Sequence, residues 1–133
     1  MKTHDVQSVS IAQPARIVFD YVAKPENLPK WTNAFRRADG KSADLVTGGG
    51  AVQIGLETRT QAETGTVDWK LTFPDGSVGT AWSRVTPDGE DRAIYSFVLM
   101  APPVPLEMLE GALTEQMGIL AGELAELKTL LEA

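Results

Sequence analysis

The chain has 133 residues, 43% hydrophobic and 23% charged, the balance of one soluble globular domain, 1–133, with a core of its own. A formal net charge of -6 disfavours partners that present phosphates or anionic headgroups, so neither nucleic-acid binding nor membrane insertion is expected. There is no cysteine and one histidine, His4, which excludes disulfides, thiol catalysis and any metal centre built on those residues; no metal and no cofactor are expected.

In chain order, residues 6–11 read VQSVSI, a β-rich, roughly alternating first strand. Pro14 then suits the first turn of a short helix carrying Val18, Phe19 and Val22, and Pro25 ends it. A second short helix follows over 25–31. From Phe35 to Met100, short β-type runs alternate with turns at Gly40, residues 48–50, Gly65, Asp75-Gly76 and Asp88-Gly89, a spacing that fits antiparallel hairpins. Three prolines within 102–105 stop the sheet, and a long helix runs to about Glu132. Along it Leu106, Leu109, Leu113, Met117, Leu120, Leu124, Leu127 and Leu131 form one apolar stripe. About 28 residues at 1.5 Å each span roughly 42 Å, enough to cross a whole face of the sheet. The stripe also fits a coiled-coil seam, but a lone exposed helix would leave the sheet uncovered, so the core reading is preferred. The start has no basic segment followed by an apolar run, and no stretch reaches the ~20 apolar residues of a membrane span, so a cytoplasmic protein is expected.

Two turns match: Phe73-Pro74-Asp75-Gly76-Ser77 and Thr86-Pro87-Asp88-Gly89-Glu90. Proline fixes φ and glycine takes the left-handed position of a type I turn with a bulge. That register sets Phe73 against Ser77 and Thr86 against Glu90, and brings Ala81 between Trp69 and Tyr95. The alternative, a two-residue Asp-Gly turn, puts Trp82 between them instead. In either case Trp69 and Tyr95 share a face and lie level, about 10 Å apart across two strands. The bulged register gives an inner face that is large on one strand, small along Ser77, Gly79, Ala81 and Ser83, and large again along Ala93, Tyr95, Phe97 and Leu99. Either leucines of the long helix fill that trough or a cavity remains, and an aromatic-lined cavity with a few hydroxyls suits a small ligand. Trp82 would face outward with Val78, Ile94 and Val98, a candidate surface for a homodimer.

A family resemblance rests on Ile11-Ala12-Gln13-Pro14-Ala15 with Val18-Phe19-Asp20-Tyr21-Val22, then Pro25-Glu26-Asn27-Leu28-Pro29-Lys30-Trp31-Thr32. With the order strand, two short helices, antiparallel meander and long helix, the chain resembles the SRPBCC superfamily, which includes START lipid-transfer domains and polyketide cyclase/dehydrase-like proteins. The segments Gly65-Thr66-Val67-Asp68-Trp69 and 124–132 look like its uncharacterised polyketide-cyclase-like branch. The resemblance implies an α+β helix-grip fold: a curved antiparallel sheet of about seven strands wrapped around the last helix and a deep apolar pocket. That branch would be expected to carry histidine where Trp69 stands, so the odds shift from acid/base chemistry towards binding.

Trp31 and Phe35 would close the pocket mouth or else plug the core beneath the short helices; Met117 would lend an adaptable wall. Arg36, Arg37 and Arg84 could anchor an anion but read more simply as solvated surface. Of the proton-transfer candidates Asp20, Glu57, Asp68 and Tyr95, only Tyr95 is expected to face the pocket, and it is the one weak catalytic candidate. The preferred function is binding or carriage of a small apolar molecule, lipid, aromatic or polyketide-like. The ligand-binding set is Trp31, Phe35, Trp69, Ala81, Tyr95, Phe97, Leu109, Leu113 and Met117. A cyclase- or dehydratase-type enzyme using Tyr95, and a protein-interaction module with a collapsed cavity, are the alternatives.

Overall fold

The structure, a computed structural model, describes residues 3–47, 50–100 and 106–133, and of 47 and 106–113 the backbone alone. Strand β1 (His4–Ile11) leads into helix α1 (Ala15–Val22), a 3₁₀ turn (Pro25–Asn27) and the single-turn helix α2 (Leu28–Trp31). The strands β2 (Phe35–Ala38), β3 (Ser42–Thr47), β4 (Gly50–Gln61), β5 (Thr66–Thr72), β6 (Val78–Pro87) and β7 (Ala93–Met100) follow, and helix α3 (Leu106–Glu132) closes the chain. They form one seven-stranded antiparallel sheet in the order β1-β7-β6-β5-β4-β3-β2. This is the helix-grip architecture expected from the sequence. No helix among the described residues is long and apolar enough to cross a membrane.

The helices start and stop for local reasons. Pro14 precedes α1 in an extended conformation, and Val18 and Val22, one turn apart, are the residues it buries. Proline occurs again in the first turn of the 3₁₀ segment and of α2, and the extended backbone of Thr32 ends α2. Buried Asn27 donates to the Tyr21 carbonyl at 2.9 Å, which fastens the second segment to the first. In α3 the stripe does what its spacing requires: Leu120, Leu124 and Leu127 are buried in the core, while Ile119 and Leu130 look outward.

Four polar contacts seat α3 along β1, the edge strand of the sheet, and the two residues that follow it. Gln7 donates to the Met117 carbonyl (2.9 Å), Lys128 to the Ser10 carbonyl (2.7 Å), Gln13 to the Leu131 carbonyl (2.7 Å), and the Ala12 amide to the Glu132 carboxylate (2.7 Å). The two contacts on β1 itself, Gln7 with Met117 and Ser10 with Lys128, advance together along both elements, so β1 and α3 run the same way, and the helix screens an edge open to further strands.

The first Pro-Asp-Gly turn takes the bulged form. Phe73 donates to Ser77 and Gly76 to Phe73, each at 2.9 Å, Gly76 stands at φ +87°, and Trp69 lies opposite Ala81. The second turn departs from expectation: Val85, not Ala81, lies opposite Tyr95, and Asp88 donates to Arg92 across a longer loop. Burial explains the difference. Matching turns would have set Asp91 on the inner face opposite buried Val85, and an unpaired carboxylate there is costly. Sliding β7 frees Asp91 to solvent and puts Ala93 and Tyr95 fully inside. Because the slide is an even number of residues, every side chain keeps its expected face, but Trp69 and Tyr95 are no longer level.

Candidate ligand-binding site

A cavity of about 180 Å³ opens between the inner face of the sheet, the α2–β2 segment and α3. Ala81 is the reason it sits there: its methyl group lies between the taller Trp69 on β5 and the residues of β7. Trp69 and Phe97 stack across that low point with ring centroids 6.5 Å apart and planes inclined by 27°. Leu71 and Leu99 extend the floor towards the β5–β6 turn. Leu28, Trp31 and Phe35 form the opposite wall, and Leu120 projects from α3. A more open hollow of about 630 Å³ adjoins the cavity at that turn and shares Leu71, Ala81, Phe97 and Leu99 with it.

Of the residues expected at the ligand, Trp31, Phe35, Trp69, Ala81 and Phe97 line this cavity. Tyr95 does not; it is fully buried behind the wall, edge-on to Trp31 at 6.0 Å and 87°. The register slide moved it there. Burial also raises its phenol pKa strongly, so it is un-ionised at neutral pH. Met117 is half-buried but spends its backbone carbonyl on Gln7 and is absent from the lining. Leu109 and Leu113 fall among the side chains outside the described residues. In place of Met117, α3 contributes Gln116, Leu120 and Glu123, one helical face whose 116/120/123 spacing was readable beside the leucine stripe.

Few polar groups enter the site. The Glu123 carboxylate accepts from the Asn33 amide at 2.7 Å and ties α3 to the segment after α2. Burial dominates its environment and raises its pKa, although the Asn33 and Ala34 amides pull the other way. The indole N–H groups of Trp31 and Trp69, both on residues 3% exposed, have no hydrogen-bond partner, and neither has the buried hydroxyl of Thr58, directly across from Trp69. The other proton-transfer candidates lie elsewhere: Glu57 pairs with Arg59 on the surface, and Asp68 faces outward beside Trp82 and accepts from the Ser83 amide at 3.2 Å. Arg37 is engaged by Asp39 and Asp44, and Arg84 by the Thr64 carbonyl. On the outer face Trp82, 45% exposed, neighbours Val98 as expected, whereas Ile94 sits further along, opposite Thr86.

This fold and pocket are those of the helix-grip class, and the sequence agrees. Residues 3–132 match the family model described as "Polyketide cyclase / dehydrase and lipid transport", and the chain belongs to that family. No curated protein matches it in sequence. Among solved structures it is similar to a START superfamily protein from Mycobacterium smegmatis, with 15% identity, 98% of each chain covered and a TM-score of 0.70. It is also similar to the Zhui aromatase/cyclase from Streptomyces sp. R1128, at 10% identity over 97% of this chain and 93% of that one, with a TM-score of 0.70. Norcoclaurine synthase from Thalictrum is a third, at 16% identity, 98% and 96% coverage and a TM-score of 0.68. At such identities these likenesses carry the fold alone.

Proposed function

We propose that the protein binds a small, largely apolar molecule between the inner face of the sheet and α3. The observation that carries this reading is the cavity itself: about 180 Å³, walled by aromatic and aliphatic side chains. An apolar cavity of ~150 Å³ suffices for benzene, so one ring fits beside Trp69 and Phe97, and a substituent can extend into the adjoining hollow. Membership of a family described by both cyclase and lipid-transport activities supports a ligand of this kind. The geometry favours binding over a cyclase-type reaction, because Tyr95, the polar group that such a reaction would use, stands behind the cavity wall. The open space weighs against a protein-interaction module with a collapsed cavity.

The test is a tryptophan-fluorescence titration with isopropylbenzene, on the wild type and on Ala81→Leu. Leucine adds the bulk that the trough lacks, so the variant should stay folded by circular dichroism and lose saturable binding. Equal binding by both proteins would place the ligand elsewhere, and no saturable response from the wild type would remove the reading.

A further inference from the structure

We propose that the guest enters and leaves the cavity through the sheet itself, by a fork between β6 and β7 that opens on the outer face. The proposal rests on the binding reading above and names the route its ligand takes. β6 pairs with β5 back to Val78, and β7 pairs with β1 out to Met100, but the ladder between β6 and β7 stops at Trp82 opposite Val98. Continued, it would set Ala81 against Leu99 and Thr80 against Met100, and neither pair is formed. Each strand keeps its other neighbour, so the two part only from one another. Cross-strand side-chain contact is what holds such pairs, and Gly79 and Ala81 offer β7 little to touch on the inner face. The hollow of about 630 Å³ lies in this parting, lined by residues 79–82 of β6 and 97–100 of β7. Successive residues of a strand point to opposite faces, so a space lined by such consecutive runs passes from one face of the sheet to the other. Inside, it meets the cavity at Ala81, Phe97 and Leu99; outside, Val78, Trp82 and Met100, each about half exposed, ring its mouth. None of the described residues that line it is ionisable, so an apolar guest passes without stripping water from a charge. On the cavity's opposite side Glu123 accepts from the Asn33 amide at 2.7 Å, and Leu28 and Trp31 are almost wholly buried, which leaves the fork the more open way among the described residues.

The chain has no cysteine, so Thr80→Cys with Met100→Cys introduces the only two thiols, one on each arm of the fork. Isopropylbenzene binding is followed by stopped-flow tryptophan fluorescence on the oxidised, stapled protein and on the same protein reduced. Closing a route slows entry and exit together, so the staple should lower both rates by at least about tenfold and leave Kd within about twofold, and reduction should restore the rates. Met100→Cys carrying N-cyclohexylmaleimide is a second block that needs no disulfide to form, and it should slow both rates likewise. Glu90→Cys with the same label, in the loop at the far end of β6 and β7, should not. Rates that neither the staple nor the label at residue 100 changes overturn the route and leave the binding reading standing. So does a weaker Kd at an unchanged exit rate, which would make the fork part of the site rather than the way in, and so does equal slowing by the label at residue 90. No saturable binding by the wild type removes the binding reading and the route with it.

Discussion

Gly65 stands at φ +73° between β4 and β5, and a Cβ placed there would lie 2.0 Å from the Val85 carbonyl oxygen. The close approach has a purpose, because Val85 donates back to the Gly65 carbonyl at 2.8 Å and locks the β4–β5 turn to β6. Gly76 has a similar backbone, φ +87°, but open space around it. The pair separates strain from collision. Gly76→Ala should cost about 1 kcal/mol, the left-handed penalty alone. Gly65→Ala should cost at least about 3 kcal/mol or abolish folding, since backbone must move as well. Urea denaturation of both variants checks this, and equal costs would contradict the collision. The Pro-Asp-Gly sequence announced the need at Gly76. At Gly65 the sequence marked a turn, but nothing local announced the collision, whose obstacle belongs to a strand twenty residues away.

At the scale of elements, α3 is held at both ends of the site by side chains that reach backbone rather than by pairs of charges. Near its C-terminus Lys128 joins it to the end of β1, and Glu132 and Gln13 join it to the residues just after that strand; near its middle Glu123 joins it to Asn33 beside the cavity. Glu123 is the costly member, because burial works against its charge. Glu123→Gln keeps an oxygen acceptor for the Asn33 amide and removes the charge, so at neutral pH it should be as stable as the wild type or up to about 1 kcal/mol more stable. Glu123→Ala leaves the amides unpartnered and should lose about 1–2 kcal/mol. Thermal melts of the two variants at pH 7 decide the matter, and a Gln variant as weak as the Ala variant would mean that the charge itself holds the segment.

The whole molecule combines carboxylates shifted in opposite directions, which fixes the sign of its pH response. Asp39, held low first by the Lys41 and Ser42 amides, Asp75, held low by Ser77, and Glu132, held low by Lys128, have folded pKa values below their ordinary ones near 4. The stability they contribute is full above the ordinary value and is lost as pH falls through the folded one. Glu123 runs the other way: its folded pKa lies above the ordinary 4.5, so its contribution is full below that value and is lost as pH rises through the raised one. The melting temperature should therefore fall below about pH 4 in wild type and Glu123→Gln alike. The decline on the rising side of 4.5 should be confined to the wild type. Melting curves from pH 3 to 7 would test both limbs, and identical profiles for the two proteins would refute the role given to Glu123.

By itself the sequence determined the elements, their order and which face of each strand looks inward, because these follow from proline and glycine punctuation, period-two alternation and the leucine stripe. The family resemblance at 11–32 supplied the grip of sheet on helix, and five of the residues expected around a ligand, Trp31, Phe35, Trp69, Ala81 and Phe97, do meet at one cavity. Only the tertiary structure decided the register of β6 on β7, since the choice turned on whether Asp91 would be buried opposite Val85, a cost that no local pattern around Asp88-Gly89 records. That one choice moved Tyr95 from the cavity to a place behind Trp31. Tertiary packing likewise made Glu123 a cavity group and left two indole donors unpaired, because burial and hydrogen-bond satisfaction are properties of the assembled neighbours and not of the residues that carry them.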